Sequence, residues 1–176
     1  MLIILVYLLI ILILSFLFIG IIWGGFSIAP WVPCKKKDLQ RINKLADLKA
    51  GQVFYDLGCG DGRVCKYMAK YNPDCKIIGI EIALPIYLLA RLIKIFSIYD
   101  YEVKRGNIFN QDLSRADVVY TYALSTTINK KLKQKFVKDL KNNCKIISYA
   151  FKMNDWKGKV HKGQVPIFVY KLEDLS

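Results

Sequence analysis

The residues best placed to do chemistry form one run, Asp56-Leu57-Gly58-Cys59-Gly60-Asp61-Gly62-Arg63-Val64, with glycine at alternate positions. The apolar run Val53-Phe54-Tyr55 precedes it and helical spacing follows, so the loop joins a buried strand to a helix. Glycine lets the backbone approach a ligand closely and take positive φ. The pattern is G-x-G-x-G, distinct from the G-x-G-x-x-G of dinucleotide enzymes. A second apolar run, Lys76-Ile77-Ile78-Gly79-Ile80, ends in Glu81. An acid about 20 residues beyond such a loop can accept hydrogen bonds from both hydroxyls of a ribose. A 2′-phosphate would be repelled there, which excludes NADP. A tight strand–helix junction would also explain a glycine-rich turn. Asp56, the strand context and Glu81 together favour a ligand site.

The elements that must position this loop can be read from periodicity. Strands are expected near 52–57, 76–81, 101–105, 116–121 and 144–150, and helices near 37–48, 62–71, 85–97 and 127–141. A tail hairpin is expected from Lys159-Val160-His161 and residues 165–172 around Gly163. Helix 127–141 is amphipathic, with Ile128, Leu132, Phe136, Val137 and Leu140 inward and lysines outward. Such alternation predicts an α/β fold, Rossmann-like and doubly wound, with a mostly parallel sheet. The loop would then lie at the carboxyl end of the first strand, where open sheets bind ligands.

Ahead of this domain the chain is uncharged and almost wholly apolar from Leu2 to Trp23. At 1.5 Å per residue, such a helix is about 33 Å long, enough to cross a hydrocarbon core of ~30 Å. No basic residue precedes it and no strong cleavage site follows, which favours an anchor over a signal peptide. The organisation expected is a transmembrane helix at 2–23, a juxtamembrane linker at 24–36 and a domain at 37–176. Lys35, Lys36, Lys37 and Arg41 lie just past the span, so the domain is expected on the cytoplasmic side of a single-pass protein. The formal charge is +13, from 22 Lys and five Arg against 14 acids. Lysines beside a span are drawn to anionic head groups. Scarcity of Arg disfavours nucleic acid as partner. Five scattered cysteines without a C-x-x-C pair suggest neither a disulfide framework nor a metal site.

The loop and Glu81 resemble the first two motifs of the class I, seven-stranded S-adenosylmethionine-dependent methyltransferases. The resemblance implies S-adenosyl-L-methionine as cofactor. Gly58, Cys59, Gly60 and Gly62 would line its methionine part, Asp56 would orient its amino end through water or the loop backbone, and Glu81 would hold its ribose. The third motif would be Gly106-Asn107-Ile108-Phe109, with Asn107 and Ile108 at the adenine. Pro30-Trp31-Val32-Pro33 after the anchor, Tyr122-Ala123-Leu124-Ser125, and Ser148 to Trp156 extend the likeness. Together they are similar to the membrane-anchored lysine methyltransferases of the ATP synthase c subunit and the adenine nucleotide translocase, and to their prokaryotic relatives. Ala83-Leu84-Pro85 departs from that pattern, in which a polar residue is followed at once by Pro.

That likeness implies N-methylation of a lysine on a membrane or membrane-associated protein. A lysine must lose its proton before attack, and a partly desolvated pocket favours this. Tyr120, Tyr122, Phe151, Asp155 and Trp156 are the candidates for its wall, and aromatic rings there suit a cation. Ordinary core packing explains the two tyrosines equally well. A small-molecule or lipid methyltransferase, or a non-catalytic cofactor-binding scaffold, remains open, as does the oligomeric state. Residues 84–99 carry only Arg91 and Lys94 as charges. Ile86, Leu89, Ala90, Ile93 and Phe96 can face the sheet. Leu88, Leu92 and Ile95 then fall on a second apolar face, for the bilayer, for neighbouring elements or for a dimer.

Overall fold

The computed structural model describes the backbone of residues 1–25 and 32–175. Strands β1 (Val53–Leu57), β2 (Lys76–Glu81), β3 (Glu102–Arg105), β4 (Val118–Thr121) and β5 (Lys145–Tyr149) pair in parallel. Strands β6 (Lys159–His161) and β7 (Ile167–Lys171) form the tail hairpin, and β7 joins the sheet antiparallel to β5. The seven strands run β3-β2-β1-β4-β5-β7-β6. Strand order reverses between β1 and β4, and the crevice at the carboxyl ends there is where such sheets bind ligands. The α/β, doubly wound expectation holds.

Helices α1 (Leu2–Gly25), α2 (Lys36–Ala46), α3 (Arg63–Tyr71), α4 (Leu84–Ile95), α5 (Ser125–Thr127) and α6 (Lys133–Asp139) complete the chain. One face of the sheet is covered by α2, α3 and α4, through Leu39, Ile42, Val64, Met68 and Ala90. The other is covered by α6 and the π-helical turn Ile128–Leu132 that joins it to α5. Ile128, Leu132, Phe136 and Leu140 are all buried. Their spacing of four overshoots a full α-helical turn by about 40° at each step. The wider π turn absorbs part of that drift. Val137, expected inward, is thereby turned out and is 66% exposed.

On α4 the buried residues are Ile86 and Ala90, with Ile93 half-buried. Phe96, expected against the sheet, lies past the last helical turn and is exposed, and Leu89 is also largely exposed. The expected apolar face of Leu88, Leu92 and Ile95 is exposed too, so neighbouring elements do not bury it.

The expected span falls on α1, which is helical over 24 residues and packs against α4. Its described side chains are those of residues 1–15 and 18. Among the described residues no helix is long and apolar enough to cross a membrane, so they do not establish the expected span. Residues 26–31 of the expected linker, including Pro30 and Trp31, lie outside the described residues.

Candidate functional site

The loop after β1 explains its own composition. Gly58, Gly60 and Gly62 have φ of 82°, 58° and 77°, the left-handed region that side chains resist. Gly58 is exposed at the tip while Cys59 and Gly60 are buried beneath it. The backbone N–H groups of Gly58 and Cys59 both donate to the Ile80 carbonyl, at 2.9 and 3.0 Å, which ties the loop to the end of β2.

Glu81 ends β2 beside this loop. Its Oε2 accepts from the Gly60 N–H at 3.0 Å and its Oε1 from the Ala83 N–H at 2.8 Å. Burial raises its pKa, and these backbone donors act in the opposite direction. An ionised carboxylate offers about four acceptor sites, so each oxygen keeps capacity for a further donor. The departure at Ala83 therefore costs nothing here, because the backbone of that residue does the holding. Pro85 follows in the first turn of α4, where a missing N–H is tolerated.

Asp56, the last but one residue of β1, is 1% exposed. Its Oδ2 accepts from the Cys65 thiol at 3.5 Å, a weak donor for a buried carboxylate. Burial pushes its pKa up to about 8, and the Glu81 and Asp61 carboxylates add to the rise. Asp61 is committed elsewhere, to a bidentate pair with Arg63 (2.6–3.0 Å), whose Nη1 also reaches the Cys34 carbonyl at 3.3 Å. This brings the segment before α2 to the loop.

Gly79, in the middle of β2, was not singled out by the sequence. A Cβ on it would stand 2.8 Å from the Cβ and Sγ of Cys59 and 2.8 Å from the Sγ of Cys65. All three residues are in the core beneath the loop. Gly79→Ala is therefore expected to destabilise the domain by about 1–3 kcal/mol through overpacking. Adding Cys65→Ala should recover part of that loss. A thermal melt of the single and double variants reads both; a single variant that melts with the parent would refute the close fit.

The aromatic residues meet at the carboxyl ends of β4 and β5. Tyr120 pairs in register with Asp56 and is buried, while Tyr122 is half-buried. Tyr149 lies 6.4 Å from the Tyr120 ring and 6.0 Å from the Tyr122 ring, and Phe151 lies 5.8 Å from Tyr122. Ala150 sits between them at φ 71°, which turns the chain out of β5. A further group was invisible to sequence reasoning. The Tyr149 hydroxyl donates to Asp38 Oδ2 at 2.7 Å, and Arg41 Nη1 pairs with Asp38 Oδ1 at 2.7 Å. Arg41 also donates to the carbonyls of His161 (2.8 Å) and Val165 (2.9 Å), clamping the tail hairpin onto α2. The Cys34 thiol sits within the influence of Asp38, Asp56 and Tyr120, and burial pushes its pKa up to about 12.

Two expected residues lie differently. Asp155 is exposed, at φ 63°, with Lys133 Nζ 3.7 Å away. Trp156 packs edge-on to Tyr170 at 6.0 Å, in the core on the other face of the sheet from Tyr122. Bonds from the Met153 N–H to the Tyr170 hydroxyl (2.9 Å) and from the Asn154 N–H to Asn129 Oδ1 (2.6 Å) hold that segment toward β7 and the π-helical turn. The tyrosines are thus brought together, and Asp155 and Trp156 stand apart from them. Asn107 caps the 3₁₀ turn Ile108–Asn110, its Oδ1 accepting from the Phe109 N–H at 3.0 Å. That amide oxygen keeps one lone pair for an adenine amino group. Ile108 is buried at the same turn.

A family model described as the ANTKMT methyltransferase domain matches residues 56–160. The chain belongs to this family. A protein-lysine N-methyltransferase of Saccharolobus islandicus (strain REY15A) is 35% identical over 132 residues, covering 74% of this chain and 81% of that protein. Among solved structures, an RNA methyltransferase from Salinibacter ruber in complex with S-adenosyl-L-homocysteine superposes with a TM-score of 0.75 at 30% identity. It covers 82% of this chain and 99% of its own. A precorrin-6y C5,15-methyltransferase from Geobacter metallireducens shares the fold at 15% identity and a TM-score of 0.61, over 81% of this chain and 90% of its own.

This methyltransferase uses S-adenosyl-L-methionine. The residues present fit that cofactor. Three glycines hold the loop in the left-handed region with Gly58 exposed, Glu81 has acceptor capacity for a ribose, and Asp56 is a buried acid short of donors. When bound, S-adenosylmethionine supplies a methyl group carried on a sulfonium.

Proposed function

We propose that this methyltransferase transfers methyl groups to lysine side chains of a membrane-embedded or membrane-adjacent protein. The observation that carries the reading is the cluster of Tyr120, Tyr122, Tyr149 and Phe151 beside Asp56, at the carboxyl edge of β4 and β5. The lysine chemistry has further support in the 35% identical protein-lysine relative. Asp56, Gly58, Cys59, Gly60, Gly62 and Glu81, with Asn107 and Ile108 at the adenine, are the proposed cofactor contacts. Tyr122 and Phe151, the half-buried members of the cluster, form the acceptor wall over Tyr120. Aromatic faces attract an arriving ammonium. The same poorly solvated wall lowers its pKa, so the proton leaves for solvent and a neutral amine remains. The nitrogen lone pair then forms the new N–CH₃ bond as the methyl–sulfur bond breaks. The protein's part is alignment, and no side chain need act as a base.

Membrane attachment and a cytoplasmic site belong to the same proposal. They are supported by an uncharged helix α1 of 24 residues, whose apolar side chains from Leu2 to Leu14 are largely exposed, and by Lys35, Lys36 and Lys37 beyond it.

The reading is tested by incubating membranes with methyl-labelled cofactor and this enzyme. Label should appear in protein and hydrolyse to methyl-lysine. Tyr122→Ala should reduce it by up to about 100-fold, the cost of a misplaced acceptor, while binding S-adenosylhomocysteine as the parent does. Label in RNA, which the Salinibacter relative's name would suggest, or in extracted lipid would replace the lysine reading. Cofactor binding without transfer would leave a scaffold.

A further inference from the structure

We infer that the outer side of α4, continued by Phe96 and Ile98, is a second membrane contact that lies on the bilayer surface. This rests on the proposal that the enzyme works at a membrane. Leu88, Leu92, Ile95, Phe96 and Ile98 are 51%, 53%, 70%, 80% and 91% exposed, on one element and the turn after it. No other part of the domain gathers as many exposed large apolar side chains among the described residues. Scattered apolar residues on a surface need no explanation, but a contiguous group marks a contact.

Two observations identify the occupant as lipid. First, α1, the uncharged helix, packs against α4, so the exposed face continues the surface of the proposed anchor. Second, there is no acid from Ile82 to Tyr99, and Arg91 is exposed with no hydrogen bond or ion pair among the described residues. A cation bordering an apolar face suits anionic head groups above acyl chains. Lys94, the other cation of this segment, turns inward. Its Nζ donates to the Tyr99 carbonyl at 2.8 Å and lies 4.8 Å from the Tyr101 ring centroid. Arg91 is the head-group contact.

The geometry has a consequence for the substrate. Because α4 joins the parallel neighbours β2 and β3, it runs antiparallel to them, beginning just past Glu81 at the carboxyl edge. If its side rests on the bilayer, the strands lie along the membrane plane. The glycine loop and the aromatic cluster then open along the surface. The acceptor lysine must therefore be presented at head-group level, beside the enzyme, as at the end of a transmembrane helix or on its flanking loop.

The test places a benzophenone side chain at Leu92, at Ile95 or, as control, at Val137, which is exposed on α6 over the opposite face of the sheet. Each full-length variant is bound to vesicles of phosphatidylcholine and phosphatidylglycerol and irradiated, with S-adenosylhomocysteine binding as the check of folding. Probes at Leu92 and Ile95 should label lipid about tenfold above the Val137 probe. Lipid labelling no greater than that control, or capture of a second copy of the chain instead, overturns the inference. Alkaline carbonate extraction of the same vesicles reads the anchor separately. Release of a protein whose Leu92 probe still labels lipid would sink the span and keep the surface contact. Retention without lipid labelling would do the reverse.

Discussion

Glu81→Ala is expected to weaken binding of S-adenosylhomocysteine by about 10²–10³-fold. Hydrogen bonds to a charged acceptor contribute about 1.5–3 kcal/mol each, and a ribose offers two. Losing both at the lower figure is a change of about 3 kcal/mol, with each 1.4 kcal/mol worth a factor of ten. The substitution also leaves the Gly60 and Ala83 N–H groups without the carboxylate that now receives them. The loop would then be less fixed before the ligand arrives. Glu81→Gln separates the two effects, since its amide oxygen can receive one of those N–H groups and its shape is preserved. It should fall between parent and Ala variant. Titration calorimetry reads all three; a Glu81→Ala protein that binds within about threefold of the parent would show that Glu81 does not hold the ribose.

Cofactor binding is also expected to release a proton from Asp56. Burial places the pKa of that carboxyl at about 8 in the free enzyme, above its ordinary value of 3.8. A group raised in the folded state contributes stability that is full below the unfolded pKa and is lost as pH rises through the folded one. Asp56 therefore destabilises the free enzyme progressively from about pH 4 to about pH 8. A cationic amino group placed beside it favours the ionised form, so the ligand binds with loss of the proton. Affinity should then rise with pH, by up to about tenfold per unit, and level off above about pH 8. Calorimetry in two buffers of different ionisation enthalpy counts the protons. The readout is the difference between the parent and Asp56→Asn, which cancels the titration of the ligand itself. Equal proton counts in the two proteins would remove Asp56 from contact with the cofactor amino group.

Both results concern residues that could be read without a structure, and the reason is local. Left-handed φ at Gly58, Gly60 and Gly62 is a demand made by a few consecutive residues, so composition records it directly. Glu81 was legible because it ends an apolar strand at a fixed distance from that loop. The helix faces were read less well wherever regular geometry failed. The π turn at Ile128–Leu132 turned Val137 outward, and the end of α4 left Phe96 in the open.

Contacts between distant parts of the chain were not legible. Asp38 and Tyr149 are 111 positions apart, and nothing near either one signals their bond. The same holds for Arg41 on the hairpin carbonyls and for Gly79 beneath Cys59 and Cys65. Asp155 and Trp156 were grouped with the tyrosines because they follow a strand end on the same side of the sheet and match the family's pattern. Long-range bonds to Tyr170 and Asn129 draw their segment toward the other face.

By itself the sequence determined the α/β order of elements, the glycine loop with Asp56 and Glu81, and an uncharged helix ahead of the domain, because each depends on neighbours in the chain. Only the tertiary structure decided which aromatic rings share the site, what clamps the hairpin over α2, and that the outer face of α4 is left uncovered. Those depend on which elements pack against one another, and packing joins residues that have no local signal in common.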